Sequence, residues 1–81
     1  MATKSQHSRK YRVIPELLRA LREEAGLTQR ALGSKLKKPQ SWVHNCEVQN
    51  RRVDLSEFCD WCAACNADPA SAIRRYLKGV A

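Results

Sequence analysis

Uncharged polar side chains recur within residues 40–47 at a spacing that places them on one face of a short helix. They are Gln40, Ser41, His44 and Asn45. The other side is supplied mainly by Trp42, Val43 and Cys46. A helix with an apolar back and a front of hydrogen-bonding groups can read base edges in the major groove of DNA. Gln40, at the N-terminal end, is the best candidate because its amide can pair with N6 and N7 of adenine.

The segment 28–47 must position these side chains. Thr28 is a suitable N-cap for a first helix, predicted over 28–36. Gly33 lies inside that helix, where glycine costs about 1 kcal/mol against alanine, and this predicts a close approach by the next helix. Pro39 ends the first helix, since the residue before a proline is disfavoured in the α region. A second helix is then predicted from Gln40 to about Val48.

A second group of residues that could do chemistry is the run of cysteines Cys59, Cys62 and Cys65. Such spacing occurs in iron–sulfur proteins, normally in a loop with a further cysteine nearby, and Cys46 is a candidate fourth ligand. Here the run lies in a predicted helix, where successive steps of three residues drift around the axis. Free cysteine also packs as a small hydrophobe. We therefore favour packing, with Cys59 pointing outward, over a metal or redox site, and predict no metal or cofactor.

The composition is that of one small basic domain. The chain has 81 residues with 15 Lys and Arg against 8 Asp and Glu, a net charge of +7. This excess favours a polyanion, nucleic acid first and an anionic membrane surface second. No apolar run reaches the ~18–20 residues of a membrane span, and no secretory h-region is visible at the N-terminus. A cytoplasmic location and reduced thiols are therefore expected.

The remaining segments predict further helices. Residues 1–11 are polar and basic and are expected to form a flexible arm. Upstream of the two helices already described, the first helix of the chain is expected from Val13 or Pro15 to Ala25. Arg22 is expected to face water, and Gly26 is the residue that ends the helix. Its predicted buried stripe is Leu17, Leu18, Leu21 and Ala25.

Two helices are predicted after the loop 48–53. In the loop, Asn50 suits a left-handed cap. The fourth helix is expected from the N-cap Asp54, with Glu57 completing a capping box, to about Cys65. Its apolar residues at helical spacing on one face are Leu55, Phe58, Trp61, Cys62 and Cys65. The fifth begins at Pro69 and ends near Gly79, giving an all-α, compact five-helix domain. Ile73, Tyr76, Leu77 and Val80 are candidates for an apolar dimer patch or for the core, and the core is favoured for Ile73 and Leu77.

The chain resembles the helix-turn-helix domain of the XRE (phage repressor and Cro-like) family over about residues 12–77. The matching residues are Leu27-Thr28-Gln29, Ala31-Leu32-Gly33, Pro39-Gln40-Ser41-Trp42-Val43, Glu47, Arg51-Arg52-Val53-Asp54-Leu55 and Asn66-Ala67-Asp68-Pro69. The resemblance implies a helix-turn-helix domain over 12–78, with the helix predicted over 40–48 in the major groove and the helix predicted over 28–36 across the backbone. Lys37 stands where the family usually has a glycine, at a turn position that requires a positive φ.

Backbone contacts are expected around the reading helix. The candidates for phosphate binding are Gln29, Arg30, Lys38, Arg51 and Arg52. Glu47 is expected to bond within the protein, with Arg52 as a candidate partner, because phosphates repel a carboxylate.

Double-stranded DNA is thus the predicted partner, and the resemblance implies a bacterial or phage-borne transcriptional regulator acting as a repressor. A single small domain reads few base pairs, so a homodimer on a two-fold operator is the usual arrangement. The alternatives are a protein-interaction module on the same fold, antitoxin-like or an accessory subunit, and a thiol- or metal-responsive regulator through Cys59, Cys62 and Cys65. No enzyme motif and no small-molecule substrate are predicted.

Overall fold

A computed structural model describes the backbone of residues 9–80 and the side chains of residues 10–80. The described chain forms five helices and no strand. They are α1 (Arg9–Glu24), α2 (Gln29–Leu36), α3 (Gln40–Glu47), α4 (Leu55–Ala64) and α5 (Pro69–Val80). The all-α, five-helix prediction is therefore confirmed. None of these helices is long and apolar enough to cross a membrane.

Local capping explains where most helices begin. The Thr28 hydroxyl accepts a hydrogen bond from the amide of Ala31 at 3.0 Å, as predicted. Asp54 and Glu57 form the predicted capping box, in which the Asp54 carboxylate accepts from the Glu57 amide at 2.8 Å and the Glu57 carboxylate from the Asp54 amide at 3.0 Å. Asp68 accepts from the amide of Ser71 at the start of α5.

The predicted start of α1 is wrong. The helix begins at Arg9 and carries Pro15 in its interior, although proline removes one backbone hydrogen bond there. Tyr11 is buried, its hydroxyl donates to the carbonyl of Arg51, and the Arg52 guanidinium lies 4.5 Å from its ring centre. These contacts with the loop before α4 favour helix upstream of the proline. Residues 9–11 therefore belong to α1 and not to the flexible arm predicted over 1–11. The rest of that predicted arm, residues 1–8, lies outside the described chain.

The core forms where all five helices meet. Its fully buried large side chains are Trp61, Leu18, Leu32, Val43, Cys46 and Cys62. The indole N–H of Trp61 donates to the carbonyl oxygen of Leu18 at 3.0 Å, so the largest core residue is both packed and hydrogen-bonded. The core assignment of Ile73 and Leu77 is wrong, because they are 40% and 56% exposed, and Leu55 on the apolar face of α4 is 70% exposed. Ala25 is also exposed, since α1 ends one residue before it.

A residue in the left-handed conformation, with positive φ, follows the end of several helices. Gly26 follows α1 with φ 74°, and Lys37 follows α2 with φ 59°, as the turn position predicts. After α3 the left-handed residue is Gln49, with φ 68°, and Asn50 was the wrong choice. Val48 is the C-cap, so the reversal falls on the next residue whatever its side chain.

Replacing Lys37 with glycine should stabilise the domain by about 0.5–1 kcal/mol, because the left-handed penalty of a side chain exceeds the added chain entropy of glycine. Chemical denaturation monitored by circular dichroism measures this gain. Lys38→Gly is the matched control, since Lys38 does not have a positive φ, and it should lower stability. A loss of stability in Lys37→Gly would contradict the prediction.

Candidate nucleic-acid interface

The outer face of α3 carries the predicted reading residues. Gln40, Ser41 and His44 are exposed and Asn45 is half-buried, whereas Val43 and Cys46 on the opposite side are fully buried. The structure therefore brings all four polar side chains to one helix, with an apolar back that anchors it in the core. This is the arrangement needed for side chains to reach base edges in a groove.

The turn between α2 and α3 lies directly against Gly33. A Cβ atom on Gly33 would lie 2.7 Å from the carbonyl oxygen of Lys38 and 3.5 Å from the amide nitrogen of Gln40. The Lys38 amide in turn donates to the Gly33 carbonyl at 2.9 Å. The predicted close approach at Gly33 is confirmed, and it is made by the turn and the start of α3.

A chain of polar contacts runs from the front of α3 into the protein. The side-chain amide nitrogen of Gln40 donates to the side-chain oxygen of Gln29 at 3.4 Å, and the side-chain amide nitrogen of Gln29 donates to the Glu47 carboxylate at 3.0 Å. Gln40, the first of the predicted base-reading residues, is thus tied to the start of α2 and, through it, to the end of α3. Gln29, predicted as a phosphate contact, uses both polar atoms of its side chain inside the protein.

Glu47 is the centre of this network. Its carboxylate side chain is 3% exposed and accepts two hydrogen bonds from the Arg22 guanidinium, at 2.7 and 3.1 Å. Arg22 also donates to the carbonyl of Leu27 at 2.8 Å. The hydrogen bond to Glu47 raises the pKa of Arg22 above its usual range. Glu47 bonds within the protein as predicted, but its partner is Arg22 rather than Arg52.

Arg22 is the functional residue that the sequence prediction missed. It was placed facing water, yet its side chain is 11% exposed. Its partner Glu47 lies 25 residues away in the sequence, so no spacing rule within α1 reveals the contact. The only available signal was the carboxylate itself, which needs a cation if it is buried.

The predicted backbone-binding cations have different surroundings. Arg30 and Lys38 are exposed at α2 and the turn, and Arg52 is exposed above Tyr11. Arg51 forms a two-pronged ion pair with Glu57, at 3.0 and 2.9 Å, and also donates to the carbonyl of Arg52.

The ion pair at Arg51 has electrostatic consequences for both partners. The hydrogen bond raises the pKa of Arg51 and lowers the pKa of Glu57. The positive charge of Arg51 is therefore balanced by Glu57 within the protein. Lys38 and Arg30 are exposed and have charges that are more available to an outside anion.

The cysteines are all free thiols. Cys46, Cys62 and Cys65 are buried and Cys59 is exposed, as the packing interpretation predicts. Burial raises the pKa of Cys46 and of Cys62 to about 11, so these thiols stay protonated near neutral pH. Among residues 10–80 no three side chains of the His, Cys, Asp or Glu type are arranged to hold a metal ion. The described geometry thus gives the metal alternative no support.

The fold and the polar face of α3 define a helix-turn-helix DNA-binding domain. A model of the helix-turn-helix domain family matches residues 16–74. A solved XRE-family-like protein from Pseudomonas syringae pv. tomato is 35% identical, with a TM-score of 0.79 over 85% of this chain and 84% of its own. The chain belongs to the XRE family of helix-turn-helix domains.

A second solved structure shares the fold. The clp gene regulator ClgR from C. glutamicum has a TM-score of 0.78 and 20% identity, covering 86% of this chain and 91% of its own. No curated protein matches the sequence significantly. The family is one of DNA-binding regulators and not of enzymes, so the chain is assigned to DNA-binding transcriptional regulation.

Proposed function

We propose that this protein is a sequence-specific transcriptional repressor that inserts α3 into the major groove of double-stranded DNA. The single observation that carries the proposal is the polar outer face of α3, backed by Val43 and Cys46 in the core. By occupying an operator, such a domain excludes other proteins from the same DNA. A DNA partner also agrees with a cytoplasmic location in a bacterium.

Gln40 is the principal base-reading residue in this proposal. Its contact with Gln29 restricts the amide before DNA is present, so less side-chain freedom is lost on pairing with an adenine. Ser41, His44 and Asn45 read the neighbouring positions. Gln29 then acts mainly by orienting Gln40, while its second amide proton is left for a phosphate oxygen.

The proposed backbone contacts hold the domain on the duplex without reading sequence. Arg30, Lys38 and Arg52 supply charge to phosphates, and Arg51 supports them from its ion pair with Glu57. About four to six phosphates per monomer would give a log–log salt slope near −0.9 for each. The domain therefore binds DNA far more weakly as salt increases.

A homodimer is proposed on the apolar groove between α1, α4 and α5. The groove has a volume of about 230 Å³ and is lined by Ile14, Leu17, Val53, Asp54, Leu55, Phe58, Ile73 and Tyr76. Leu55 and Ile73, which line the groove, are exposed, as is Leu77 on α5, which favours a partner protein at this face over solvent. To bind a two-fold operator, a second copy must present its α3 to a half-site about 34 Å away.

Gln40→Ala should lose or relax preference at one base pair of the operator, at a cost of about 1–3 kcal/mol of discrimination. Selection from random-sequence duplex DNA at two salt concentrations, with wild type and variant, measures this change. A palindromic motif would support the dimer as well.

Lys78→Ala is the control, because it removes an exposed charge in the last turn of α5 rather than on the helix-turn-helix segment, and it should select the wild-type motif. Salt-sensitive binding without an enriched motif would contradict base reading. Absence of binding at low salt would contradict the proposal of DNA binding and favour the protein-interaction alternative.

A further inference from the structure

The aromatic ring of Trp42 lies next to two cations at the N-terminal end of α3. The ammonium nitrogen of Lys38 is 5.3 Å from the ring centre, and the guanidinium carbon of Arg51 is 4.9 Å from it. Both distances fall within the range of cation–π attraction, which is strongest for tryptophan. Trp42, which the sequence assigns to the apolar side of this helix, therefore contacts two of the predicted phosphate-binding residues.

The two cations differ in what balances their charge. Arg51 has the Glu57 carboxylate, in a two-pronged ion pair. Lys38 has no carboxylate within salt-bridge distance among residues 10–80, and the Trp42 ring is the group that attracts its ammonium. The charge of Lys38 is thus held in place without being neutralised, which is the state required of a phosphate ligand.

The ring itself is firmly supported. Trp42 is half-buried, and its ring centre is 6.2 Å from that of Trp61 at an angle of 41°. Trp61 is fully buried and hydrogen-bonded to the carbonyl of Leu18. The Trp42 ring also contacts Arg51, which is paired with Glu57 of the α4 capping box. A cation attracted to this ring is therefore held relative to the core and not only relative to its own turn.

We propose that Trp42 is a positioning residue for DNA-backbone binding, holding the Lys38 ammonium beside the start of α3 so that it meets a phosphate in a preset geometry. The inference rests on the proposed function and deepens it. An ammonium group has three N–H donors, so contact with the ring leaves donors for a phosphate oxygen. Lysine has high rotamer freedom, and holding it beforehand reduces the entropy lost on binding.

A double-mutant cycle on Trp42 and Lys38 tests this assignment. The probe is the selected operator duplex, or a random-sequence duplex if no motif is enriched. Lys38→Ala should reduce the magnitude of the log–log salt slope by about 0.9 per monomer, the loss of one phosphate contact. Trp42→Leu should lower affinity about 2- to 10-fold when Lys38 is present, as expected for one side chain no longer preorganised.

The same Trp42→Leu change should alter affinity by less than about 1.5-fold in the Lys38→Ala background, because the group that Trp42 positions is gone. Trp42→Phe, which retains an aromatic face, should recover most of the affinity. Lys78→Ala combined with Trp42→Leu is the charge-matched control and should show additive effects.

Each departure from this pattern has a definite meaning. An equal loss of affinity in both Lys38 backgrounds would make Trp42 purely structural and overturn the inference, as would an unchanged salt slope in Lys38→Ala. If Trp42→Leu fails to fold by circular dichroism, the comparison of Trp42→Phe with Trp42→Met, which lacks a ring, decides the question in the same cycle. Absence of salt-sensitive binding by the wild type would instead reject the proposed function itself.

Discussion

Replacing Glu47 with alanine should lower the free energy of unfolding by about 3–5 kcal/mol, because it leaves the largely buried Arg22 guanidinium with only the exposed Glu23 carboxylate, 3.9 Å away, as its counter-charge. The carboxylate accepts from Arg22 and from Gln29, so the substitution removes three hydrogen bonds at once. A small domain has about 5–15 kcal/mol of total stability. Urea denaturation followed by circular dichroism should therefore show a much earlier midpoint.

Two control variants separate this effect from the simple loss of an acidic residue. Glu23→Ala removes an exposed pairing with Arg19 and a longer contact with Arg22 at 3.9 Å, and it should cost less than about 1 kcal/mol. Replacing Arg22 and Glu47 together with leucine should restore much of the stability, since neither charge is then left alone. A loss in Glu47→Ala no greater than that in Glu23→Ala would show that the buried pair contributes little.

Gly33→Ala is expected to destabilise the domain by about 1–2 kcal/mol, even though alanine favours the helix by about 1 kcal/mol. The new Cβ would lie 2.7 Å from the Lys38 carbonyl oxygen, and backbone must shift to relieve that contact. The shift moves the start of α3, so DNA affinity should also fall under conditions where the domain remains folded. Thermal unfolding and operator binding measure the two effects.

Ser34→Ala is the matched control for this substitution. Ser34 is the next residue of α2 and is exposed, so its replacement should change stability by less than about 0.5 kcal/mol. Unchanged or increased stability in Gly33→Ala would mean that α2 and α3 can separate at no cost. The close approach would then not fix the reading helix.

Both substitutions act on the same structural relationship. Glu47 ties the end of α3 to α1 and α2, and Gly33 allows its start to lie against α2. The position of α3 is therefore set at both ends. A helix of eight residues needs such support, because short helices are marginal on their own.

The starts of α2, α4 and α5 were predicted well from sequence. Thr28, and Asp54 with Glu57, cap their helices as predicted, and Asp68 caps the helix that was predicted to begin at Pro69. Capping involves residues within four positions of one another, so the information is local. The same reasoning applies to Lys37, whose left-handed conformation follows from the position of the turn.

Contacts between distant segments account for the errors. Pro15 suggests a helix start, yet packing of Tyr11 against the loop at Arg51 extends α1 upstream of it. Ile73 and Leu77 were assigned to the core by their apolar character, yet they remain exposed beside a groove. Hydrophobicity predicts burial, but it does not specify whether the covering surface belongs to the same chain.

By itself, the sequence determined the all-α class, the helix-turn-helix segment and the polar face of α3, since capping, proline placement and helical periodicity are short-range properties. The tertiary structure alone decided which charges remain available for DNA. It paired Arg22 with Glu47 and Arg51 with Glu57, and it left Lys38 beside the ring of Trp42. The physical reason is that ion pairs and aromatic contacts depend on distances in space, and residues far apart in the chain approach each other only when the core has formed.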